Sequence, residues 1–157
     1  MRLVFVTEYF WPEIGGLERS TQRLATHLGA LGHDVRLVTR LLPGTSARTR
    51  HEGVDVWRYP DDGAAPFTAH AAAEAMFADA DAVCLFGVGD DPDAKWWRPV
   101  LDARLADHGV RLLKVGTEGD ITLRRISPTL YQRLDGVLCQ TPGIAVEAQS
   151  VGIAADR

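Results

Sequence analysis

The residues best suited to chemistry stand together near the start of the chain, in the run Tyr9-Phe10-Trp11-Pro12-Glu13-Ile14-Gly15-Gly16-Leu17-Glu18. Paired glycines ahead of a helix let the backbone turn freely and let a large group approach the N-terminal amides. Those amides, with the helix dipole behind them, favour an anion such as a phosphate. A tight strand-to-helix turn needs the same residues, so Gly15 and Gly16 carry two readings. Glu18, one or two residues into the helix, suits a cap that accepts hydrogen bonds from turn amides. Neither GxGxxG nor GxxxxGK[ST] occurs in this loop, which disfavours a nicotinamide cofactor and ATP hydrolysis. Tyr9, Phe10 and Trp11 offer flat faces to a sugar or a lipid tail, and packing of the loop onto the domain would use them equally well.

A second candidate stretch is Gly116-Thr117-Glu118-Gly119-Asp120. Glu118 or Asp120 at a strand end can orient a hydroxyl group, although Asp120 also suits the N-cap of the helix that follows. The five histidines give no nucleophilic or metal signature: His33 belongs to a turn, His27 and His108 fall on helices, and His51 and His70 have no recognisable partner. Asp90, Asp91 and Asp93 read as a solvated turn. Cys84 and Cys139 lie in apolar runs without a CxxC or a nearby histidine, so both read as small core residues and neither as a zinc ligand. No metal and no cofactor are expected. Trp96 and Trp97 open a predicted helix and point about 100° apart, so one can be buried and the other left exposed.

The elements that must position these residues alternate along the chain. Residues 3–7 form an apolar run of strand formers, the pattern of a strand covered on both faces. Leu17, Leu24, Leu28 and Leu31 then recur at helical spacing up to Gly32. Residues 34–39 alternate as a second strand, residues 43–46 mark a loop, and residues 54–59 have the period of a half-exposed strand nearer an edge. The alanine-rich residues 64–80 favour helix, with Pro66 in the first turn. Residues 82–86 form a buried strand, followed by a helix over about 94–108 that Gly109 stops. Residues 110–115 form a strand, Asp120 opens a helix running past Leu134, and residues 136–140 form a sixth strand. Thr141 and Pro142 open a last helix. Strands and helices in this order predict right-handed crossovers, hence a Rossmann-like open parallel sheet of about six strands with helices on both faces. Ligands of such sheets bind at the carboxyl ends of the strands, where helices begin.

Composition agrees with one ordinary domain. The chain has 157 residues, of which 46% are hydrophobic and 24% charged, and a net charge of −4. That length supports a core without disulfide or metal staples. Two lysines against fifteen arginines, and a pI near 5.7, leave no basic stripe for a run of nucleic-acid phosphates. An apolar alternating segment begins almost at Met1, with no leader pattern and no bilayer-spanning run, so a cytoplasmic protein is expected, with membrane contact at most peripheral.

The series Pro12-Glu13-Ile14-Gly15-Gly16-Leu17-Glu18, Leu24-Ala25, Leu28, Gly32-His33-Asp34-Val35 and Val38-Thr39 resembles the amino-terminal, acceptor-side domain of family-4 GT-B glycosyltransferases. Weaker resemblance continues through residues 81–83, 114–120 and 134–142 to Gly152-Ile153. The resemblance implies one of two Rossmann-like domains facing each other across a cleft, with the acceptor on this side and the nucleotide sugar on the other. It implies that Gly15 and Gly16 meet the donor diphosphate, that Glu118 acts in catalysis by presenting the acceptor, and that Tyr9, Phe10, Trp11, Thr117 and Asp120 shape the acceptor pocket. Many relatives carry a histidine after the fifth strand; residues 116–120 have none. The implied reaction moves a sugar from a nucleoside diphosphate to a hydroxyl of a carbohydrate, lipid or small-molecule acceptor, with retention of anomeric configuration. The sequence ends at Arg157 without the carboxyl-terminal nucleotide-sugar motif, so turnover is expected only with a second half. The competing expectation is a non-catalytic α/β binding or assembly module; an unrelated flavodoxin-like domain fits the Gly15-Gly16-Leu17-Glu18 context less well.

Overall fold

The structure, a computed structural model, describes residues 1–62, 67–77, 79–87, 109–116, 134–150 and 152–156. In chain order the described elements are β1 (Arg2–Thr7), α1 (Gly16–Ala30), β2 (Asp34–Arg40), β3 (Arg48–His51), β4 (Val54–Tyr59), α2 (Phe67–Phe77), β5 (Ala82–Phe86), β6 (Arg111–Gly116), β7 (Gly136–Cys139) and α3 (Pro142–Ser150). They build a seven-stranded sheet in the order β3-β4-β2-β1-β5-β6-β7, parallel except for β3. The Rossmann-like α/β fold is therefore present, with one strand more than the apolar pattern predicts. Arg48, Thr49, Arg50 and His51 form that strand by pairing antiparallel with β4, so the segment predicted nearest an edge is itself covered. An all-polar run gives no apolar alternation, which is why the sequence pattern assigns it to no element.

The pleat sorts the strand residues into two cores. Leu3, Phe5, Leu37, Val56, Cys84 and Phe86 face one side with Leu17, Leu24, Ala25 and Leu28 of α1. Val4, Val6, Val38, Val83 and Leu85 face the other with Phe67 and Ala71 of α2 and Ile144 and Ala148 of α3. Helices thus cover both faces of the sheet. Leu31 departs from the predicted stripe: it lies just past α1 and is exposed. Gly32 turns the chain with φ +86°, and the amides of Gly32 and His33 close on the carbonyls of Gly29 and Leu28.

Aspartates lock the amino ends of the strands. Asp81 Oδ2 accepts from the Arg2 amide at 2.7 Å, and Asp135 Oδ2 accepts from the Leu112 amide at 2.7 Å. Each carboxylate just before a strand thereby fixes the start of its parallel neighbour, which sets the register of β1 against β5 and of β6 against β7. The chain direction reverses its lateral progress at β1: β2 and β4 lie on one side, β5 to β7 on the other. The carboxyl ends of β1 and β5 consequently flank the topological switch point, where open α/β sheets place ligands. The predicted helices over 94–108 and from Asp120, the Pro66 turn, and the tryptophans and acids of residues 90–97 lie outside the described residues.

Candidate functional site

The turn from β1 into α1 stands at that switch point. Gly15 caps α1 with extended dihedrals that any residue can adopt. Its amide donates to Glu18 Oε2 at 2.8 Å, and a Cβ on Gly15 would lie 2.5 Å from that same oxygen. A side chain here would make the Glu18 carboxylate shift. Having no side chain, Gly15 cannot return a bond to the Glu18 amide as a serine cap would. The amides of Gly16, Leu17 and Glu18 have no intrahelical acceptor by position and find none among the described residues. Among the described residues, a Cβ on Gly16 would meet nothing within 4 Å. The Gly15 amide is thus bonded to Glu18, and among the described residues the amides without an acceptor begin at Gly16. The capping reading of Glu18 holds. From the other side of the switch point, Gly87 at the end of β5 packs against Leu17 with φ +59°, and a Cβ there would lie 2.5 Å from Leu17 Cδ2.

The loop ahead of the turn is tied down residue by residue. The Glu8 carbonyl accepts from Thr39 Oγ1 at 3.1 Å, and the Tyr9 carbonyl accepts from Thr7 Oγ1 at 3.1 Å. The Phe10 carbonyl accepts from the Glu13 amide at 3.2 Å, and the Trp11 carbonyl accepts from Arg58 Nη2 at 2.8 Å. Arg58 also donates through Nη1 to the Ser46 carbonyl at 3.2 Å. Its side chain is 1% exposed, its Nε has no acceptor and no carboxylate pairs with it among the described residues. Burial holds this guanidinium below its ordinary pKa. On the α2 face of the sheet, Arg40 pairs with Glu8 at 3.0 Å and Asp61 at 2.8 Å, and donates to the Tyr9 hydroxyl at 3.2 Å.

The aromatic trio of the loop separates. Tyr9 joins Arg40. Phe10 is buried in the α1-side core, with its ring edge on His51. Trp11 is 40% exposed and stacks on His51 with ring centroids 4.7 Å apart. Phe10, Trp11, Ile14, Glu18, Arg19 and His51 are among the residues around a cleft of about 290 Å³ between this loop, α1 and the β3–β4 hairpin. So Phe10 and Trp11 share a pocket and Tyr9 does not. His51 and His70, for which the sequence offers no partner, both stack on aromatics, His70 on Tyr59 at 4.8 Å. Around Tyr59, burial and then its hydrogen bond to Glu74 raise the phenol pKa. Cys84 is buried, and burial pushes its thiol up to about 12. Cys139 departs from its core reading: it is only half-buried, because β7 is the last described strand of the sheet.

Thr117, Glu118 and Asp120 lie outside the described residues, so nothing here brings them to the turn. Sequence reasoning missed Arg40, Arg58 and Lys114. Each is a charged residue at or near the end of an apolar strand; Lys114 is fully buried on β6, beside Leu85 and Val137. A charge closing an apolar run was the available signal. Among the described residues no cluster of three His, Cys, Asp or Glu side chains forms a metal site, and no helix is long and apolar enough to cross a membrane.

These features define a Rossmann-like α/β domain that presents its first strand-to-helix turn at the switch point of the sheet. The sequence profile of Glycosyltransferase Family 4 matches residues 14–157, and the chain belongs to that family. Membership makes it a domain of glycosyltransferase type and implies a nucleotide-sugar donor and an acceptor in general terms. No curated protein matches the chain.

Proposed function

We propose that this domain is the acceptor-side half of a retaining glycosyltransferase, working against a second half that binds the nucleotide sugar. The bond between the anomeric carbon and the diphosphate oxygen breaks, and the acceptor oxygen bonds to the same face of that carbon. The acceptor proton leaves with the diphosphate. Negative charge therefore grows on the diphosphate, and preorganised amides aimed at it lower the barrier. Gly16 and the amides of Leu17 and Glu18 supply those donors, while Gly15 shapes the turn through Glu18. Glu118 helps present the acceptor hydroxyl, and Thr117, Asp120, Phe10 and Trp11 shape the acceptor pocket; Tyr9 contributes through the loop. The protein acts in the cytoplasm, where peripheral membrane contact would serve a lipid acceptor. It takes neither nucleic acid nor a redox cofactor.

One observation carries this reading: family membership coincides with an open α1 N-terminus at the switch point, with free space at Gly16. The test pairs the chain with a nucleotide-sugar half and measures sugar transfer. Gly16→Trp puts a large side chain where a Cβ meets no described neighbour, so turnover should fall by more than about 100-fold while circular dichroism stays unchanged. Full turnover in a folded Gly16→Trp variant refutes the assignment of the turn.

A further inference from the structure

Thr7, Thr39 and Arg58 account for three of the five buried polar side chains among the described residues. They are the last inward positions of β1, β2 and β4, which are neighbours in the sheet. Thr39 pairs with Arg58, and the pairing of Val6 with Val38 brings Thr7 and Thr39 alongside each other one residue further on. By the two-residue pleat they share the α1-side face with Phe5, Leu37 and Val56. Each side chain donates to a carbonyl of the β1–α1 loop: Thr39 to Glu8, Thr7 to Tyr9 and Arg58 to Trp11.

We propose that Thr7, Thr39 and Arg58 form a row of positioning residues that fixes the β1–α1 loop, so that the amides from Gly16 onward are held in place before an anion arrives. A guanidinium without a carboxylate partner in an apolar face is a poor choice for stability alone, since a hydrophobic residue of similar volume usually serves as well. Arg58 instead joins two separate loops, through the Trp11 and Ser46 carbonyls, which no aliphatic side chain can do. The last carbonyl it holds lies four residues before Gly15, and the Phe10–Glu13 bond carries the constraint toward the turn. Preorganisation of this kind matters because a displacement of about 1 Å at a site can cost about 100-fold in rate. The functional half of this inference rests on the anion reading above.

The experiment uses the 157-residue chain, with amide exchange of Glu13 and pyrophosphate titration of the Gly16 amide followed by NMR. Arg58→Met should speed Glu13 exchange by about tenfold or more, leave the β1 amides unchanged and weaken pyrophosphate several-fold. Arg58→Lys keeps the charge but cannot span both carbonyls; positioning requires that its affinity fall in step with its faster exchange. Wild-type exchange and affinity in a folded Arg58→Met chain would overturn the proposal, and so would an affinity that follows charge alone in Arg58→Lys. Should Arg58→Met fail to fold, Thr39→Val removes only the Glu8 bond, and unchanged exchange there overturns the row. A native chain that ignores pyrophosphate overturns the anion reading, while the exchange measurements still decide whether the row holds the loop.

Discussion

At the scale of single residues, the two glycines Gly16 and Gly87 obey different rules. Gly16 has an open environment and occupies the first position of α1, so its value lies in what it leaves uncovered. Gly87 is constrained twice, by φ +59° and by the 2.5 Å approach of Leu17 Cδ2 to any added Cβ. Gly87→Ala should therefore cost about 1–3 kcal/mol, read as a lowered urea midpoint, whereas Gly16→Ala should leave the midpoint close to that of the parent. Equal midpoints for the two variants would contradict the geometry. The glycine pair itself was legible in the sequence, because a doubled glycine before an amphipathic run signals a helix start. That Gly15 is spent on Glu18 while Gly16 is free was not legible, since it depends on where one carboxylate swings.

At the scale of elements, the β3–β4 hairpin shows a strand made by its partner. Arg48 to His51 have no apolar face; they are held by pairing with β4 and by long side chains lying over its aromatics. The guanidinium of Arg48 sits 3.7 Å from the Trp57 ring centre and that of Arg36 also 3.7 Å, so the two must take opposite faces of the indole. Each such contact is worth about 0.5–1 kcal/mol where exposed. The connection is two residues long, with Glu52 at φ +46° and Gly53 at φ +83°. That is a type I′ geometry, in which asparagine is far better suited than glutamate to the first position. Glu52→Asn should stabilise the chain by about 0.5–1 kcal/mol in chemical denaturation, and a destabilised variant would argue against this turn type. The hairpin matters for the site because His51, just before the turn, backs the exposed Trp11.

At the scale of the whole molecule, the two-faced sheet makes burial the main electrostatic influence on its interior groups. The Cys84 thiol has its pKa raised from 9.0 to about 12, and the Tyr59 phenol is also raised. Where the unfolded chain loses these protons and the folded chain keeps them, folding binds more protons, and stability falls as pH rises. For Cys84 the window runs from 9.0 up to about 12, with full stabilisation below it. The slope there should approach about 1.4 kcal/mol per pH unit, measured by urea unfolding at several alkaline pH values. Cys84→Ala should flatten that slope; parallel curves for the two chains would reject the assignment. From its residues alone the chain already determined the order of the apolar strands and of α1, α2 and α3 among the described residues, the Rossmann-like class and the placing of a glycine turn after the first strand, because these follow from local periodicity and turn chemistry. Only the tertiary structure decided that Phe10 and Trp11 share a cleft without Tyr9, that a polar run becomes an edge strand, and that Arg58 is buried against loop carbonyls. The reason is physical: in local sequence a charge ending an apolar run looks the same whether it reaches water or folds back, and the choice is made by backbone oxygens brought near it from distant parts of the chain.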